Sequence, residues 1–278
     1  MATSPTEKVV TTCGTAPDAP ISAIQARPRG RGERGFCLTD RDLGLLEFVA
    51  GHRFVLACQV MHWLGAGEVV VYRRLKGLVD GELLSYRRVF HQRPGCYQVT
   101  RAGLGVIESP LPRAQIDLRT YRHDIGVVWV YLAAVNGSFG PYVRVLSERH
   151  MRSADQRRQV GGESFAIPLG GYTPNGGVRT HYPDVVCVRD DGSRVAVELE
   201  LTLKSRRRLE AILAGYAGEP RLAHLVYFTD RPVIARAVRE SSLLVGLDSR
   251  VDVDYFEPAP ERDVERAWQN VRAKEPQR

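Results

Sequence analysis

The segment HYPDVVCVRDDGSRVAVELELTLKS, residues 181–205, constrains the fold most because it predicts two apolar strands joined by a turn. In its second half apolar side chains occupy every other position: Val195, Val197, Leu199, Leu201 and Leu203. Since alternate residues of a strand face opposite sides of a sheet, Glu198 and Glu200 share the other side. We therefore expect one face covered by helices and a second face bearing two adjacent acids, which are either solvated or hold a metal ion.

The turn decides where Asp184, at the start of the first strand, lies relative to these acids. A tight turn at Asp191-Gly192 would pair Asp184 with Leu199 and place it on the apolar side. A three-residue loop or a bulge would pair it with Glu198 or Glu200 and bring the carboxylates together. The sequence leaves both registers open.

Strand and helix patterns alternate on both sides of this segment. The sequence predicts helices over 113–135, 205–218 and 232–246, strands over 142–152, 224–230 and 250–258, and a glycine-rich loop region over 161–177. Such alternation predicts a mixed sheet flanked by helices. We assign it to a domain over residues 113–258, with a C-terminal tail over 259–278.

Residues 38–108 predict a different arrangement, namely three helices, a β-hairpin and a further helix. This is the layout of a winged helix-turn-helix, in which the third helix enters the major groove and the hairpin lies along the DNA backbone. With a short basic arm it forms a domain over residues 27–110, and residues 1–26 are expected to be a disordered tail. The fold class is therefore two-domain, α+β or α/β.

The predicted third helix, Glu68 to Val79, has one apolar face and a polar remainder. Its candidate DNA-binding residues are Tyr72, Arg73, Arg74 and Lys76, and those of the hairpin are Arg87, Arg88 and Arg93. A formal charge of +7 favours a polyanionic partner such as double-stranded DNA. The alternative is a helical domain with solvated charges that docks to protein.

The basic arm contains Pro28-Arg29-Gly30-Arg31, which matches the centre of an AT-hook. In such a hook Arg29 and Arg31 would enter the narrow minor groove, whose negative potential attracts arginine. A plain flexible arm that binds phosphates is the alternative.

The cysteines and the apolar runs bear on the compartment. The 5 cysteines are widely spaced and form no CxxC motif, which favours free thiols in a reducing compartment. No signal-peptide pattern opens the sequence, and the longest apolar run, Ile125 to Val135, is shorter than the roughly 20 residues that span a bilayer. We expect a cytoplasmic, nucleoid-associated protein without membrane contact.

The acids predict a metal-dependent chemistry if they converge. Mg²⁺ prefers carboxylate oxygens, and a bound metal ion lowers the pKa of a water and neutralises charge on a scissile phosphate. A nearby lysine would stabilise the transition state. His181, close to the acids in sequence, is expected at the surface, with a supporting role beside the acids as the alternative, and His123 is expected to have a structural role.

Pro183-Asp184 followed by Glu198-Leu199-Glu200 on the next strand resembles the PD-(D/E)XK nuclease fold, whose order is helix, three strands, helix, strand. Together with LTDRDLGLLEFVAGHRF, VYRRLKGLVDGELL and YQVTRAGL, the segment resembles the replication-relaxation family of plasmids and integrative elements, over residues 38–230. The resemblance implies a mobile-element role in plasmid replication, relaxation or transfer, relaxase or replication proteins as further partners, and a homodimer as one oligomeric state.

The resemblance also implies site residues. Asp184 and Glu198 would hold Mg²⁺ with Glu148 or Glu200, Lys204 would stabilise the phosphate, and Arg206 and Arg207 would contact the DNA backbone. The sequence departs from the nuclease pattern at Glu200, where a lysine is expected, and Lys204 lies four residues further along. Two functions follow from this departure: a Mg²⁺-dependent DNA endonuclease or nickase, or a DNA-binding transcriptional or replication regulator with a catalytically inactive nuclease-like domain.

Overall fold

The computed structural model describes residues 37–158 and 163–256. The predicted tails over 1–26 and 259–278 and the arm residues Arg29 and Arg31 lie outside the described residues. Helices and several sheets alternate along the described chain, so the expected mixed α/β class is confirmed. No helix in the described ranges is both long and apolar enough to cross a bilayer.

The first part of the chain, which we call the N-terminal module (residues 38–108), contains the expected order of three helices, a hairpin and a helix. Its elements are α1 (Asp40–Ala50), β1 (Val55–Leu56), α2 (Ala57–Leu64), α3 (Glu68–Asp80), β2 (Leu84–Arg87), β3 (Cys96–Val99) and α4 (Arg101–Val106). The three strands form a small antiparallel sheet in the order β1-β3-β2.

An ion pair fixes α3 against α1. Thr39 precedes α1, and both its backbone N–H (2.6 Å) and its hydroxyl (2.5 Å) donate to Oδ2 of Asp42 in the first turn. The guanidinium of Arg74 on α3 donates twice to the same carboxylate, which is 2% exposed. Because a buried charge is costly without a partner, this pair ties the orientation of α3 to that of α1.

The second part, the sheet module (residues 121–256), contains a five-stranded mixed sheet. Its elements are α5 (Tyr121–Val135), β4 (Arg144–Ser147), α6 (Glu148–Gln156), β5 (Ile167–Tyr172), β6 (Val178–His181), β7 (Val185–Val188), β8 (Arg194–Glu200), α7 (Arg206–Ala217), β9 (Leu222–Thr229), α8 (Pro232–Leu244), a 3₁₀ turn (Asp248–Arg250) and β10 (Val251–Tyr255). The strand order is β10-β9-β8-β7-β4, in which β7 runs antiparallel to both neighbours and β8, β9 and β10 are parallel. Strands β5 and β6 form a separate antiparallel hairpin.

Three sequence-based boundaries are wrong. The helix expected from Arg113 begins at Tyr121, because Asp117 holds a turn just before it by accepting from the backbone N–H of Arg119. The strand expected over 142–152 ends at Ser147, whose side chain caps α6 by accepting from the His150 N–H. Within the glycine-rich segment, Ile167–Tyr172 form strand β5, which pairs with β6, so this part is not a loop.

Helices cover both faces of the five-stranded sheet. On one side Gly126 of α5 lies against Leu199 of β8. On the other side Ala196 and Tyr227 belong to the buried cluster that includes α7 and α8. Every residue of β8 is buried, so the alternative in which Glu198 and Glu200 are solvated is wrong.

Buried hydrogen bonds join the two modules. The side-chain amide of Gln59 on α2 donates to the Ile125 carbonyl of α5 at 2.9 Å, and the Ser147 hydroxyl donates to the Gly51 carbonyl at 2.6 Å. Arg149 of α6 donates to the Ala50 carbonyl at the end of α1 at 3.0 Å. The N-terminal module is therefore held directly against the helices of the sheet module.

Gly215 on α7 provides a test of the packing between this helix and the β5–β6 hairpin. A Cβ at this position would lie 2.6 Å from the Pro168 carbonyl oxygen and 2.7 Å from Cγ2 of Ile167. We expect Gly215→Ala to lower the free energy of unfolding by about 1–3 kcal/mol, since the clash involves backbone and outweighs the helical gain of alanine. Urea denaturation measures this change.

Gly218→Ala is the matched control. A Cβ at Gly218 would meet its nearest atoms at 3.7 Å, an ordinary contact, so the variant should unfold within about 0.5 kcal/mol of the parent. A Gly215→Ala protein as stable as the control would contradict this packing.

Candidate functional site

The register between β7 and β8 places Asp184 near Glu198 at the end of the paired strands. Val185 pairs with Val197, and Asp184, the residue before β7, accepts from the N–H of Leu199, the residue after Glu198. The connection is a three-residue loop, Asp190–Gly192, closed by the Arg189 N–H donating to the Ser193 carbonyl at 2.9 Å. Gly192 has a φ of +80°, which favours glycine. The three-residue loop is confirmed and the tight turn is wrong, and the carboxylate of Asp184 reaches His123 on α5.

Asp184 is held by two groups from the protein. Its Oδ2 accepts from the Leu199 N–H at 2.8 Å and lies 3.3 Å from Nε2 of His123 on α5. Burial raises the pKa of Asp184, but the charge of His123 and these hydrogen bonds outweigh burial and hold that pKa below its ordinary value. Asp184 is therefore a carboxylate with a cation beside it.

The carboxylate of Glu198 is also held by two side chains of the protein. Its Oε1 lies 2.6 Å from Nε2 of His181, at the end of β6, and accepts a hydrogen bond from the buried hydroxyl of Tyr216 on α7. Burial alone would lower the pKa of His181, but Glu198 raises it above its ordinary value. Burial and the adjacent Glu198 raise the pKa of Tyr216 well above its usual range, so Tyr216 remains a donor.

Glu200 pairs with Lys204, the lysine predicted to stabilise the phosphate. Strand β8 ends at Glu200, and Lys204 in the following loop reaches back to form an ion pair with it. Burial lowers the pKa of Lys204, whereas the nearby Glu198 and Asp184 oppose this shift. Lys204 thus belongs to the same charged cluster as the three acids.

Glu148 lies at the edge of the cluster and not in a strand, because it is the first residue of α6. Its carboxylate forms an ion pair with Arg152 at 2.7 Å, and its backbone N–H donates to the Asp184 carbonyl at 3.0 Å. Glu148 and Asp184 also line a small cleft of about 30 Å³ between the modules, together with Gly51, His52, Arg53, Asp124, Val127, Ser147 and Arg149.

The predicted metal ligands Asp184, Glu198 and Glu148 are neighbours that do not form a metal-binding group. Within residues 37–158 and 163–256, no three His, Cys, Asp or Glu side chains are arranged to hold a metal ion. Cations or donors from the chain itself already contact each carboxylate. In this arrangement the residues do not fit Mg²⁺.

The candidate DNA-binding residues differ in their surroundings. The exposed ones are Tyr72, Arg73, Lys76, Arg87, Arg88, Arg93, Arg206 and Arg207. Lys76 and Arg206 form surface ion pairs with Asp80 and Glu210, each at 2.7 Å. Arg74 instead binds the buried Asp42, so its role in the structure is to fix α3.

Sequence reasoning missed the roles of His123 and Tyr216, and it gave the role of His181 only as the alternative to a surface position. The structure brings His181, expected at the surface, to Glu198, and it brings His123 and Tyr216 to the acids from α5 and α7. One local signal existed for His181, which precedes Asp184 by three residues. Nothing local pointed to Tyr216, because its helical spacing is typical of a core residue.

The pairing of His123 predicts a pH-dependent stability. Burial lowers the pKa of His123, but Asp184 and Asp124 raise it further, to about 10, from an unfolded value of 6.5. A raised folded pKa stabilises the protein fully below pH 6.5 and loses that effect as the pH rises to 10. His123→Gln should therefore lower the free energy of unfolding by roughly 1–3 kcal/mol at pH 6, and by less at pH 10.

Chemical denaturation at pH 6, 8 and 10 measures this difference. His91→Gln, in an exposed turn, serves as the control and should change the free energy little at any of these pH values. A His123→Gln deficit that stays constant from pH 6 to 10 would rule out a charged pair.

Comparisons of the chain with protein-family models, with curated proteins and with solved structures find no match.

Proposed function

We propose that the protein binds double-stranded DNA through α3 and the β2–β3 hairpin. The supporting observation is the two-sided character of α3. Its inward residues Val71, Leu75 and Leu78 are fully buried, whereas Arg73 and Lys76 are exposed beside Tyr72, which is 44% exposed. A rigid helix with this basic outer face suits insertion into a groove of the duplex.

The β2–β3 hairpin adds a second basic surface. Arg87, Arg88 and Arg93 are exposed on it, and a formal charge of +7 favours association with a polyanion. The order of three helices and a hairpin agrees with the resemblance to a winged helix. On that resemblance we propose a role in plasmid replication, relaxation or transfer, with relaxase or replication proteins as partners, association with the nucleoid, and a homodimer as the form that binds a two-part site.

Neutralising α3 tests the DNA-binding proposal. The double variant Arg73→Gln, Lys76→Gln should bind duplex DNA more weakly, and the slope of log K against log salt should fall by about one per lost phosphate contact. Fluorescence anisotropy across a salt series measures both quantities. Arg236→Gln, exposed on α8, is the control and should leave both unchanged.

Binding that is absent from the parent protein, or that does not depend on salt, would contradict DNA binding. That result would favour docking to protein instead.

For the sheet module we propose a nuclease-like fold that does not cleave DNA, so that the protein acts as a regulator. Elements α5, β4, β7, β8, α7 and β9 follow the helix, three strands, helix, strand order, with α6 and the β5–β6 hairpin inserted after the first strand. Cleavage is disfavoured because each acid that would bind a metal ion already contacts a basic side chain. His123 contacts Asp184, His181 contacts Glu198, and Lys204 contacts Glu200.

Magnesium-dependent cleavage or nicking is the second candidate, favoured by one observation. Asp184 lies near Glu198 at the end of the β7–β8 pairing and lines the same cleft as Glu148, so Asp184 has an acid on either side. This candidate requires the two imidazoles to leave their carboxylates. A bound Mg²⁺ would then supply an activated water and neutralise phosphate charge.

A nicking assay on supercoiled plasmid separates the two candidates. We expect no conversion to the open-circular form by the parent protein with either Mg²⁺ or Mn²⁺, at protein concentrations that saturate the DNA. Asp184→Asn should bind DNA like the parent, because Asp184 is buried and is not among the exposed basic residues proposed to contact DNA.

Asp191→Asn, in the exposed loop between β7 and β8, is the matched acid control. If the parent and Asp191→Asn nick the plasmid and Asp184→Asn does not, the non-cleaving proposal is overturned and the second candidate is established.

A further inference from the structure

The β5–β6 hairpin projects from the sheet module without packing along its distal half. Residues 171–180 are all exposed. Tyr172 and Val178 pair across the two strands and are 75% and 56% exposed. The hairpin belongs to neither the five-stranded sheet nor the sheet of the N-terminal module, so these side chains are not explained by the fold.

The base of the hairpin is firmly anchored. Ile167 and Leu169 are buried in the core cluster that includes α7, and the Pro168 carbonyl lies against Gly215 of that helix. The carboxylate of Asp155 on α6 accepts from the N–H groups of the two residues before β5, Phe165 and Ala166, at 3.1 and 3.0 Å. The hairpin therefore leaves the body of the protein in a fixed direction.

Hydrogen bonds within the chain also fix the turn at the tip of the hairpin. The Thr173 N–H donates to the Gly177 carbonyl at 2.7 Å, and the Gly176 N–H donates to the Thr173 carbonyl at 2.9 Å. The Thr173 hydroxyl accepts from the Gly177 N–H at 3.0 Å, and Gly176 has a φ of +77°. A preformed turn loses little conformational entropy on binding, which favours a binding role.

The chemistry of the hairpin points to a polyanion. Residues 164–183 contain no Asp or Glu, and the exposed Arg179 follows Val178 on β6, on the opposite face of the ribbon from the Tyr172–Val178 pair. The far end of β6 is His181, which contacts Glu198, so the hairpin begins at the acid cluster. A ribbon with a tyrosine on one face, an arginine on the other and no carboxylate complements the phosphates and sugars that line a groove.

We propose that the β5–β6 hairpin enters a groove of duplex DNA as a second contact, separate from α3. A two-stranded ribbon has the width that the major groove admits. Arg179 binds a backbone phosphate, and Tyr172 and Val178 pack against sugar and base edges. This inference rests on the proposed DNA-binding function and extends it, because it adds a contact made by the sheet module beside the candidate site.

The test is the double variant Tyr172→Ser, Arg179→Gln. Its affinity for duplex DNA should fall about tenfold at physiological salt, and its salt slope should fall by about one. Hydroxyl-radical footprinting should lose one protected stretch of backbone and keep the stretch that depends on α3.

Leu243→Ser, Arg236→Gln is the matched control, because both side chains are exposed on α8 and Leu243 is 67% exposed. It carries the same loss of one apolar group and one charge, and it should bind and footprint like the parent. Both double variants should keep the melting temperature of the parent, since the replaced side chains are on the surface.

The outcomes separate this inference from the proposed function. If the parent protein does not bind duplex DNA, both fail. If the parent binds and the α3 variant is impaired, but Tyr172→Ser, Arg179→Gln retains its affinity and footprint, only the hairpin inference is overturned. That result would match a hairpin that meets a protein partner.

Discussion

The pairing of β7 with β8 fixes where the charged groups of the sheet module lie. A shift of one residue would turn the alternate side chains of β7 to the other face and change which residues of β8 lie beside Asp184. The three-residue loop Asp190–Gly192 sets this register, and the Leu199 N–H donating to Asp184 at 2.8 Å reinforces it. The positions of the acids, of their cationic partners and of the cleft beside α6 all follow from it.

Burial then decides the character of the acid cluster. Asp184, Glu198 and Glu200 are 8%, 4% and 6% exposed, and an unpaired carboxylate at such depth is strongly disfavoured. The chain provides a cationic side chain for each of them: His123, His181 and Lys204. Charge that a metal ion would neutralise in a magnesium site is here neutralised by the protein, which is the physical basis for favouring a non-cleaving module.

The same packing connects the cluster to the proposed DNA-binding surfaces. Gln59, Ser147 and Arg149 hydrogen-bond across the junction, so the N-terminal module has a defined orientation on the sheet module. Strand β6 connects the exposed tip of its hairpin to His181 and hence to Glu198. Duplex DNA that binds α3 and this hairpin would contact two preformed elements, since neither element must fold on binding.

The sequence by itself determined the features that neighbouring residues encode. The alternation of Val195, Val197 and Leu199 predicted β8, and helical spacing predicted α3 and α7 with their buried faces. The same local reasoning could not decide the β7–β8 register, and it put Glu148 in a strand because it missed the cap at Ser147.

Only the tertiary structure decided that the acid-bearing face is covered and which groups meet there. His123 is 61 residues from Asp184, and Tyr216 is 18 residues from Glu198. The physical reason is that periodicity and caps act within a few residues, whereas the partner of a buried charge is set by the packing of helices that are remote in sequence.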